Sequence, residues 1–173
     1  MLFRSAAGDR GGADVSEIAE RLAAVRRRID AAAGACGRDP DTVALVAVSK
    51  TVPVERVAEA VRAGAVDLGE NRAQELLAKA PALVAAGLAP RWHFIGRLQS
   101  NKVRALAPMV ALWQSVDRPE VIGEIARRAP GAAVLVQVNV DREPQKGGCD
   151  PDAVVGLVAH AREVDRKSTR LNS

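Results

Sequence analysis

The 173-residue chain has an ordinary globular composition, with 48% hydrophobic and 27% charged residues, and its length fits one domain. Its charge is mixed, with 25 basic and 21 acidic residues, and apolar segments run along most of it, which excludes a wholly disordered chain. Aromatic residues are scarce, so the core must be built from small aliphatic side chains, and helices can then pack close to a sheet.

The sequence lacks the residue patterns that mark several special classes of protein. Cys36 and Cys149 belong to no CxxC or histidine-bearing spacing, so the sequence indicates neither a disulfide framework nor a metal site. The first dozen residues lack the apolar core of a secretory signal, and no later apolar run reaches the roughly 18 residues that span a bilayer. We therefore expect a cytoplasmic protein that binds no membrane. Of the 25 basic residues, 20 are arginines scattered without aromatic partners, so we expect no nucleic-acid partner.

The first predicted element is an amphipathic helix over residues 14–35, where Ile18, Leu22, Val25 and Ile29 recur at helical spacing. Five strand-and-helix units follow this helix. The first strand is rich in valine and has no polar alternation, which is typical of a strand buried on both faces. The five strands are predicted at residues 43–48, 66–71, 92–96, 109–116 and 133–140.

Prolines, glycines and capping residues set the predicted helix boundaries. The helix that begins at Arg72 is expected to be interrupted near Pro81, because proline lacks the N–H group that a helix interior needs. Asp117 and Glu120 are expected to cap the helix after the fourth strand. The remaining helices are predicted to begin at Pro53, Ser100 and Asp150.

The alternation of strands and helices predicts a parallel sheet with right-handed crossovers. An open doubly wound sheet and a (β/α) barrel of the TIM type both fit, although no GxGxxG motif supports the dinucleotide-binding form of the open sheet. A closed barrel needs eight strands, so on that interpretation residues 14–165 form an incomplete barrel of about five βα units. We expect residues 1–13 to be disordered and residues 166–173 to be a polar tail unrelated to the natural fold.

Lys50 is the leading candidate for chemistry. In parallel α/β folds the loops at the carboxyl ends of the strands build the functional site, and Lys50 lies two residues beyond the apolar first strand. We expect partial burial and neighbouring cations to favour its neutral amine there. A neutral amine can attack an aldehyde, and pyridoxal phosphate is the commonest aldehyde partner. The alternative is a solvated lysine at the rim of the sheet.

Five longer motifs lie in order along the chain, each at the end of its own strand. Together they resemble the YggS/PROSC family of pyridoxal-phosphate-binding homeostasis proteins over residues 14–164. The resemblance implies a barrel similar to the amino-terminal domain of alanine racemase, the fold-type III class of pyridoxal-phosphate proteins. The motifs are VSKT (48–51), GENRAQE (69–75), WHFIGRLQSNK (92–102), SVDR (115–118) and VQVNVDREPQKGG (136–148).

The resemblance also implies roles for individual residues. The lysine of the SKT motif carries the cofactor as an internal aldimine in that family, which assigns this role to Lys50. Asn71, from the GEN motif, would lie beside the cofactor ring. His93 matches the histidine of the WHF motif, although a strand histidine is more often a packed, hydrogen-bonded residue. Lys102 and Lys146 match family lysines near the rim, which would hold or pass on the cofactor unless they are simply solvated.

The function that the resemblance implies is a carrier that sequesters pyridoxal phosphate and releases it to pyridoxal-phosphate-dependent apoenzymes without a turnover reaction. An amino-acid racemase of the same fold is an alternative, but it would need a tyrosine base, and the sequence contains no tyrosine. Val52 stands where many family members have a second lysine. The later family segments that cup the phosphate and face the pyridine nitrogen have no counterpart here, so a third alternative is an inactive fragment that has lost its phosphate anchor.

Overall fold

The computed structural model describes the backbone of residues 11–171 and the side chains of residues 17–165. In this range a five-stranded parallel sheet is combined with six α-helices, and a short 3-10 helix precedes both the first strand (Pro40–Thr42) and the last helix (Pro151–Ala153). The strands are β1 (Val46–Val48), β2 (Asp67–Glu70), β3 (Arg91–Phe94), β4 (Val110–Val116) and β5 (Ala133–Val136). The helices are α1 (Gly11–Ala35), α2 (Val54–Arg62), α3 (Ala73–Ala85), α4 (Ser100–Leu106), α5 (Pro119–Arg128) and α6 (Val154–Leu171).

The order of the strands distinguishes between the two predicted architectures. Each strand pairs in parallel with the next one along the chain, so the order in the sheet is β1-β2-β3-β4-β5. The helices from α2 to α6 also contact one another in chain order. A doubly wound sheet would reverse its direction and carry helices on both faces, whereas this sheet continues in one direction like the wall of a barrel. The fold is therefore α/β of the TIM-barrel type, as predicted.

The hydrophobic core lies between the sheet and the helices. The strands contribute Leu68, Trp92, Phe94 and Trp113, all of them buried. The rings of Phe94 and Trp113 have centroids 6.2 Å apart and planes tilted by 51°, a usual geometry for an aromatic pair. Most of the rest of the core is aliphatic, as the composition predicts, and it includes Val57, Leu76, Leu83, Val103, Leu106, Val121, Ile122 and Ile125.

All five strands are shorter than the sequence pattern predicts, and β1 and β5 differ most. β1 begins at Val46 rather than at residue 43, because the Val43 amide donates to the Pro40 carbonyl and caps the preceding 3-10 helix. β5 ends at Val136 rather than at residue 140. The prediction that the first strand is buried on both faces is wrong, since the side chain of Val48 is 51% exposed on the face opposite the helices.

The predicted interruption of the second βα helix is also wrong. α3 passes through Pro81 without a break. Ala80 and Leu83, on either side of the proline, are buried in the core. Tertiary packing therefore holds the helix together across the one hydrogen bond that proline cannot donate.

The predicted capping pair of α5 does not form. Arg118 occupies the N-cap position and makes no side-chain capping hydrogen bond. The Asp117 carboxylate instead accepts a hydrogen bond from the Gly148 amide at 3.3 Å, and so connects the loop after β4 to the loop after β5. The sequence pattern for Asp117 and Glu120 failed because a contact between loops competes with the local cap.

α1 begins at Gly11 and α6 ends at Leu171, so helical backbone reaches beyond residues 14–165 on both sides. Residues 1–10 and 172–173, which include most of the segment expected to be disordered and the end of the expected tail, lie outside the described residues. In the described part of the chain, no helix has the length and apolarity needed to cross a bilayer. Within that same part, no cluster of His, Cys, Asp and Glu side chains is arranged to hold a metal ion.

Candidate functional site

The face of the sheet opposite the helices, called the inner face below, is lined by alternate residues of each strand. Positions 46, 69 and 95 share this face, because a Cβ atom added to Gly69 would lie 3.3 Å from Val46 Cγ1 and 3.2 Å from Ile95 Cδ1. Side chains alternate along a strand, so Val48 follows on the same face, and Lys50 comes two residues later at its carboxyl edge. The same alternation assigns to this face Asp67 of β2 and Arg91 and His93 of β3.

Lys50 lies in a tight turn at the carboxyl end of β1. The Val52 amide donates to the Ser49 carbonyl at 3.1 Å and closes the turn. Thr51 has a φ of 61°, a left-handed conformation that is a true outlier for a β-branched residue. The Lys50 side chain is exposed, and within the described part of the chain its ammonium group has no hydrogen-bond or ion-pair partner. The partial burial expected from the sequence is therefore wrong, and the amine is accessible.

A buried lysine on α3, Lys79, forms a hydrogen bond with the backbone of this turn. The ammonium group of Lys79 donates to the Ser49 carbonyl at 2.7 Å, to Glu70 Oε1 at 2.6 Å and to Glu75 Oε2 at 2.9 Å. The Ser49 hydroxyl donates to the same Glu70 oxygen at 2.8 Å. The Thr51 amide donates to Glu75 Oε2 at 2.7 Å. Peptide groups on both sides of the exposed lysine are therefore attached to one ionic network.

The charges in this network support one another. Burial lowers the pKa of Lys79, but the hydrogen bonds with Glu70 and Glu75 outweigh burial and raise that pKa above its ordinary value. The hydrogen bonds from Lys79 and from the Thr51 amide hold the pKa of Glu75 below its usual range. The ammonium group of Lys79 and the Glu75 carboxylate are thus both charged at neutral pH. The second oxygen of Glu70, Oε2, is buried and finds no hydrogen-bond partner within the described part of the chain.

Asn71 directly follows β2, beside the turn that carries Lys50. The register between β1 and β2 runs from Val46 opposite Asp67 to Val48 opposite Gly69, and its continuation sets position 71 opposite position 50. The side-chain oxygen of Asn71, Oδ1, is buried and has no hydrogen-bond partner among the residues that the structure describes. Buried acceptors without a donor are rare in folded proteins, and this atom can accept a hydrogen bond from a further donor group.

A glycine fixes the backbone of Asn71. A Cβ atom added to Gly96 would lie 2.0 Å from the Asn71 carbonyl oxygen, a distance that no side chain can adopt. The Ser115 hydroxyl donates a short hydrogen bond to the Gly96 carbonyl from the next strand. The segments that follow β2 and β3 are therefore pressed together backbone to backbone.

Asn71 and Lys102 line the same cavity, which has a volume of about 160 Å³ and lies between the start of α3 and the start of α4. Arg72 and Arg97 contribute two more cations to its wall, and no acidic side chain is among the described residues that line it. Arg72 is only loosely neutralised, with Nη1 3.9 Å from Glu75 Oε1. The cavity therefore offers positive charge to an anionic group.

His93 lies deeper on the inner face than Lys50, opposite Gly69 in the ladder. Its Nε2 atom is 3.0 Å from Asp67 Oδ1, and its Nδ1 atom is 2.7 Å from Gln114 Nε2. The ring is buried and both of its nitrogen atoms have partners. This is the packed, hydrogen-bonded arrangement that is commoner for strand histidines.

Lys146 is separated from the other candidates by its own ion pairs. It lies on the loop after β5, where its ammonium group forms a short ion pair with Glu143 and is 3.6 Å from Asp141 Oδ2. Its side chain is exposed. It does not line the cavity that Asn71 and Lys102 share.

The network of Lys79, Glu70 and Glu75 was not predicted from the sequence. Glu75 and Lys79 stand four residues apart on α3, a spacing that predicts a helical ion pair. Lys79 also falls on the stripe of α3 that contains Leu76 and Leu83, which are buried. A lysine on an apolar stripe requires a buried partner, and that signal was available in the sequence.

The fold and the site together define the class of protein: part of an α/β barrel, with an exposed lysine in the turn after β1. The family model for the alanine racemase N-terminal domain matches residues 21–171. The chain is 44% identical to the pyridoxal phosphate homeostasis protein of Pseudomonas aeruginosa over 154 residues, which cover 87% of this chain and 66% of that protein. It is 37% identical to the protein of the same name from Escherichia coli over 161 residues, 90% of this chain and 69% of that protein.

A solved structure, PipY of Synechococcus elongatus with pyridoxal phosphate bound, superposes with a TM-score of 0.69 at 32% identity and covers 85% of this chain and 65% of that one. The chain belongs to the YggS/PROSC family of pyridoxal phosphate homeostasis proteins. It spans about two thirds of the length of the relatives that it matches.

Proposed function

We propose that this chain binds pyridoxal 5'-phosphate and serves vitamin B6 homeostasis, holding the cofactor as a Schiff base on Lys50. The observation that carries the proposal is the accessible amine of Lys50, which lies in a strained turn and has no partner among the described residues, at the position opposite Asn71, whose buried side-chain oxygen also has no partner among them. The relatives named pyridoxal phosphate homeostasis proteins and the PipY structure with its bound cofactor support the choice of this aldehyde.

The residues at this edge of the sheet fit such a ligand. Because the Lys50 amine has no competing partner in the described part of the chain, it is available to condense with an aldehyde with loss of water. Asn71 Oδ1 offers a hydrogen-bond acceptor beside the lysine. Lys102, together with the two arginines of its cavity, supplies positive charge for a phosphate group. When bound, the cofactor supplies a reactive aldehyde on an electron-accepting ring.

The role that we propose is carriage without turnover, in which the cytoplasmic protein releases the cofactor to pyridoxal-phosphate-dependent apoenzymes. Racemisation of an amino acid requires a proton donor or acceptor on each face of the substrate carbon. The sequence offers no tyrosine for the second face. Incubating the chain and the cofactor with several L-amino acids, and following optical rotation, tests this point. Steady loss of rotation would overturn the carrier role and favour the racemase.

Borohydride reduction followed by peptide mass mapping tests the attachment site. We expect pyridoxal phosphate to label Lys50 first among the five lysines of the chain. The Lys50→Ala variant is expected to lose this label and, before reduction, the absorption band of the Schiff base. Lys146→Ala is the matched control, since it removes an exposed lysine that is ion-paired on another loop. A variant without Lys50 that keeps the band and its stoichiometry would identify another carrier. A wild-type chain without selective label would indicate the inactive fragment.

A further inference from the structure

The environment of Lys79 is unusual for a lysine in a helix that packs on a sheet. Its side chain is 9% exposed, and it lies against the Glu70 side chain, which is fully buried. Replacing a buried ion pair by apolar residues often stabilises a protein, so such a pair is weak evidence of a role in stability alone. The contacts that distinguish Lys79 are those it makes, directly or through Glu75, with the backbone around Lys50.

Those contacts act on both sides of one residue. Lys79 donates to the Ser49 carbonyl, which belongs to the peptide bond that precedes Lys50. It also fixes the Glu75 carboxylate that accepts from the Thr51 amide, which belongs to the peptide bond that follows. Both ends of the reactive residue are thereby held, while its side chain makes no contact of its own with the network.

The strained backbone at Thr51 supplies an independent reason for the restraint. A β-branched residue with a φ of 61° leaves the left-handed region unless its surroundings hold it there. The hydrogen bond from the Thr51 amide to Glu75 Oε2, at 2.7 Å, is the contact from outside the turn that holds this peptide. The Glu75 carboxylate therefore restrains the strained peptide from outside the turn.

We infer that Lys79 is a positioning residue for Lys50. Through the Ser49 carbonyl and through Glu75, it fixes the direction in which the Lys50 amine leaves the sheet, so that the amine meets an aldehyde bound beside Asn71. The inference rests on the proposed attachment of an aldehyde to Lys50. It adds that residues of α3 that do not touch the ligand determine the rate of attachment.

The test measures the rate at which pyridoxal phosphate labels Lys50 under borohydride, relative to the rate at Lys146 in the same sample. Because small displacements of a reacting group lower rates steeply, we expect Lys79→Met to slow labelling at Lys50 about tenfold and to leave Lys146 unchanged. Arg128→Met is the matched control, because it removes a cation from a helical i,i+4 pair with Glu124 on α5. Equal rates at Lys50 in the wild type and in Lys79→Met would overturn the inference.

A second pair of variants decides the question if Lys79→Met does not fold. The Glu75 side chain is 22% exposed, against 9% for Lys79, so its substitution disturbs the core less. Glu75→Ala removes the acceptor of the Thr51 amide and is expected to slow Lys50 labelling severalfold, whereas Glu75→Gln keeps an acceptor oxygen and is expected to restore most of the rate. Two Glu75 variants that are equally fast or equally slow would overturn the inference.

The same experiment separates this inference from the proposed function. If the wild-type chain shows no selective label on Lys50, the proposed attachment fails and the positioning role fails with it. If the wild type is labelled selectively and all the variants are labelled as fast, the attachment stands and only the role of Lys79 is lost.

Discussion

The Nε2 atom of His93 lies 3.0 Å from Oδ1 of Asp67, and this contact links β3 to β2 near the amino end of the inner face. The Asp67 carboxylate accepts a hydrogen bond from Nε2, and the side-chain nitrogen of Gln114 lies 2.7 Å from Nδ1. Arg91 completes the group with two hydrogen bonds of 2.7 Å to the Asp67 carboxylate. Three neighbouring strands are thus joined by side chains, and His93 is held below the level of Lys50.

The Asp67 carboxylate gives this group a pH dependence. Burial acts to raise the pKa of Asp67, but the hydrogen bonds from Arg91 and His93 outweigh it and hold the pKa below its ordinary value. A carboxylate whose pKa is lower in the folded state stabilises the protein above its unfolded-state pKa, and that stabilisation is lost as the pH falls through the folded-state pKa. Asp67→Asn removes the negative charge that these hydrogen bonds stabilise, so we expect it to lower the free energy of unfolding at pH 7. The loss should be only about 1–2 kcal/mol, because the exposed guanidinium of Arg91 is hydrated in the variant.

The difference in the free energy of unfolding between wild type and Asp67→Asn should become smaller below about pH 4. Urea denaturation followed by circular dichroism between pH 3 and pH 7 measures it. Asp152→Asn is the control, since that carboxylate is 85% exposed and its pair with Arg142 contributes less than about 1 kcal/mol. A difference that stays constant with pH would show that Asp67 acts by packing alone.

The pair formed by Lys79 and Glu70 predicts a larger effect on stability. Lys79→Met leaves the fully buried Glu70 carboxylate without its cation, so we expect the free energy of unfolding to fall by about 3–5 kcal/mol. Lys79→Met combined with Glu70→Gln removes the unpaired charge and should recover most of the loss. Chemical denaturation at pH 7 measures all three proteins, and a loss below about 1 kcal/mol for the single variant would contradict the prediction.

High pH provides a second measurement on the same pair. The pKa of Lys79 is raised in the folded state, so its stabilising contribution is fully present below the unfolded-state pKa and is lost as the pH rises through the folded-state pKa. The difference in the free energy of unfolding between wild type and Lys79→Met should stay constant from pH 7 to about pH 10 and become smaller at higher pH. A gap that narrows between pH 7 and pH 9 would contradict this assignment.

The sequence was sufficient for the architecture because the periodicity of strands and helices is local. The five strands stand where apolar runs predict them, and the ends of β1 and β5 moved only because a 3-10 helix and a loop compete for the same residues. Pro81 shows the limit of local rules. Its effect on α3 depends on the burial of Ala80 and Leu83, which only the tertiary structure determines.

The candidate site was less accessible to sequence reasoning. The position of Lys50 follows from its strand, and Asn71 follows from the register between β1 and β2. The exposure of Lys50 does not follow, because it depends on what faces the open side of the sheet. Lys102 and Lys146 look alike in the sequence, yet one lines the cavity with Asn71 and the other is neutralised on its own loop.

The contact between Gly96 and Asn71 predicts that Gly96 tolerates no side chain. Gly96→Ala would bring its Cβ within 2.0 Å of the Asn71 carbonyl oxygen, and backbone on both sides prevents relaxation. We expect it to lower the free energy of unfolding by about 3 kcal/mol or more. Gly123→Ala is the control, because among the described residues an added Cβ there has no atom within 4 Å apart from its chain neighbours and the backbone of its own helix, and alanine favours a helix over glycine by up to about 1 kcal/mol. Equal stabilities of the two variants would contradict the prediction.

The open inner face predicts self-association of the chain. Val48 and Leu135 lie on this face, 51% and 50% exposed, and β1 and β5 are the two edges of the sheet. Exposed apolar surface beside unpaired strand edges favours association between copies, so we expect dimers or larger species at micromolar concentration in sedimentation velocity experiments. Val48→Lys with Leu135→Lys should shift the distribution towards monomer, because charge on the face opposes its burial. Val155→Lys changes a valine of α6 that is 81% exposed and should leave the distribution unchanged. A wild-type chain that sediments as a monomer at every concentration would show that this face does not drive association.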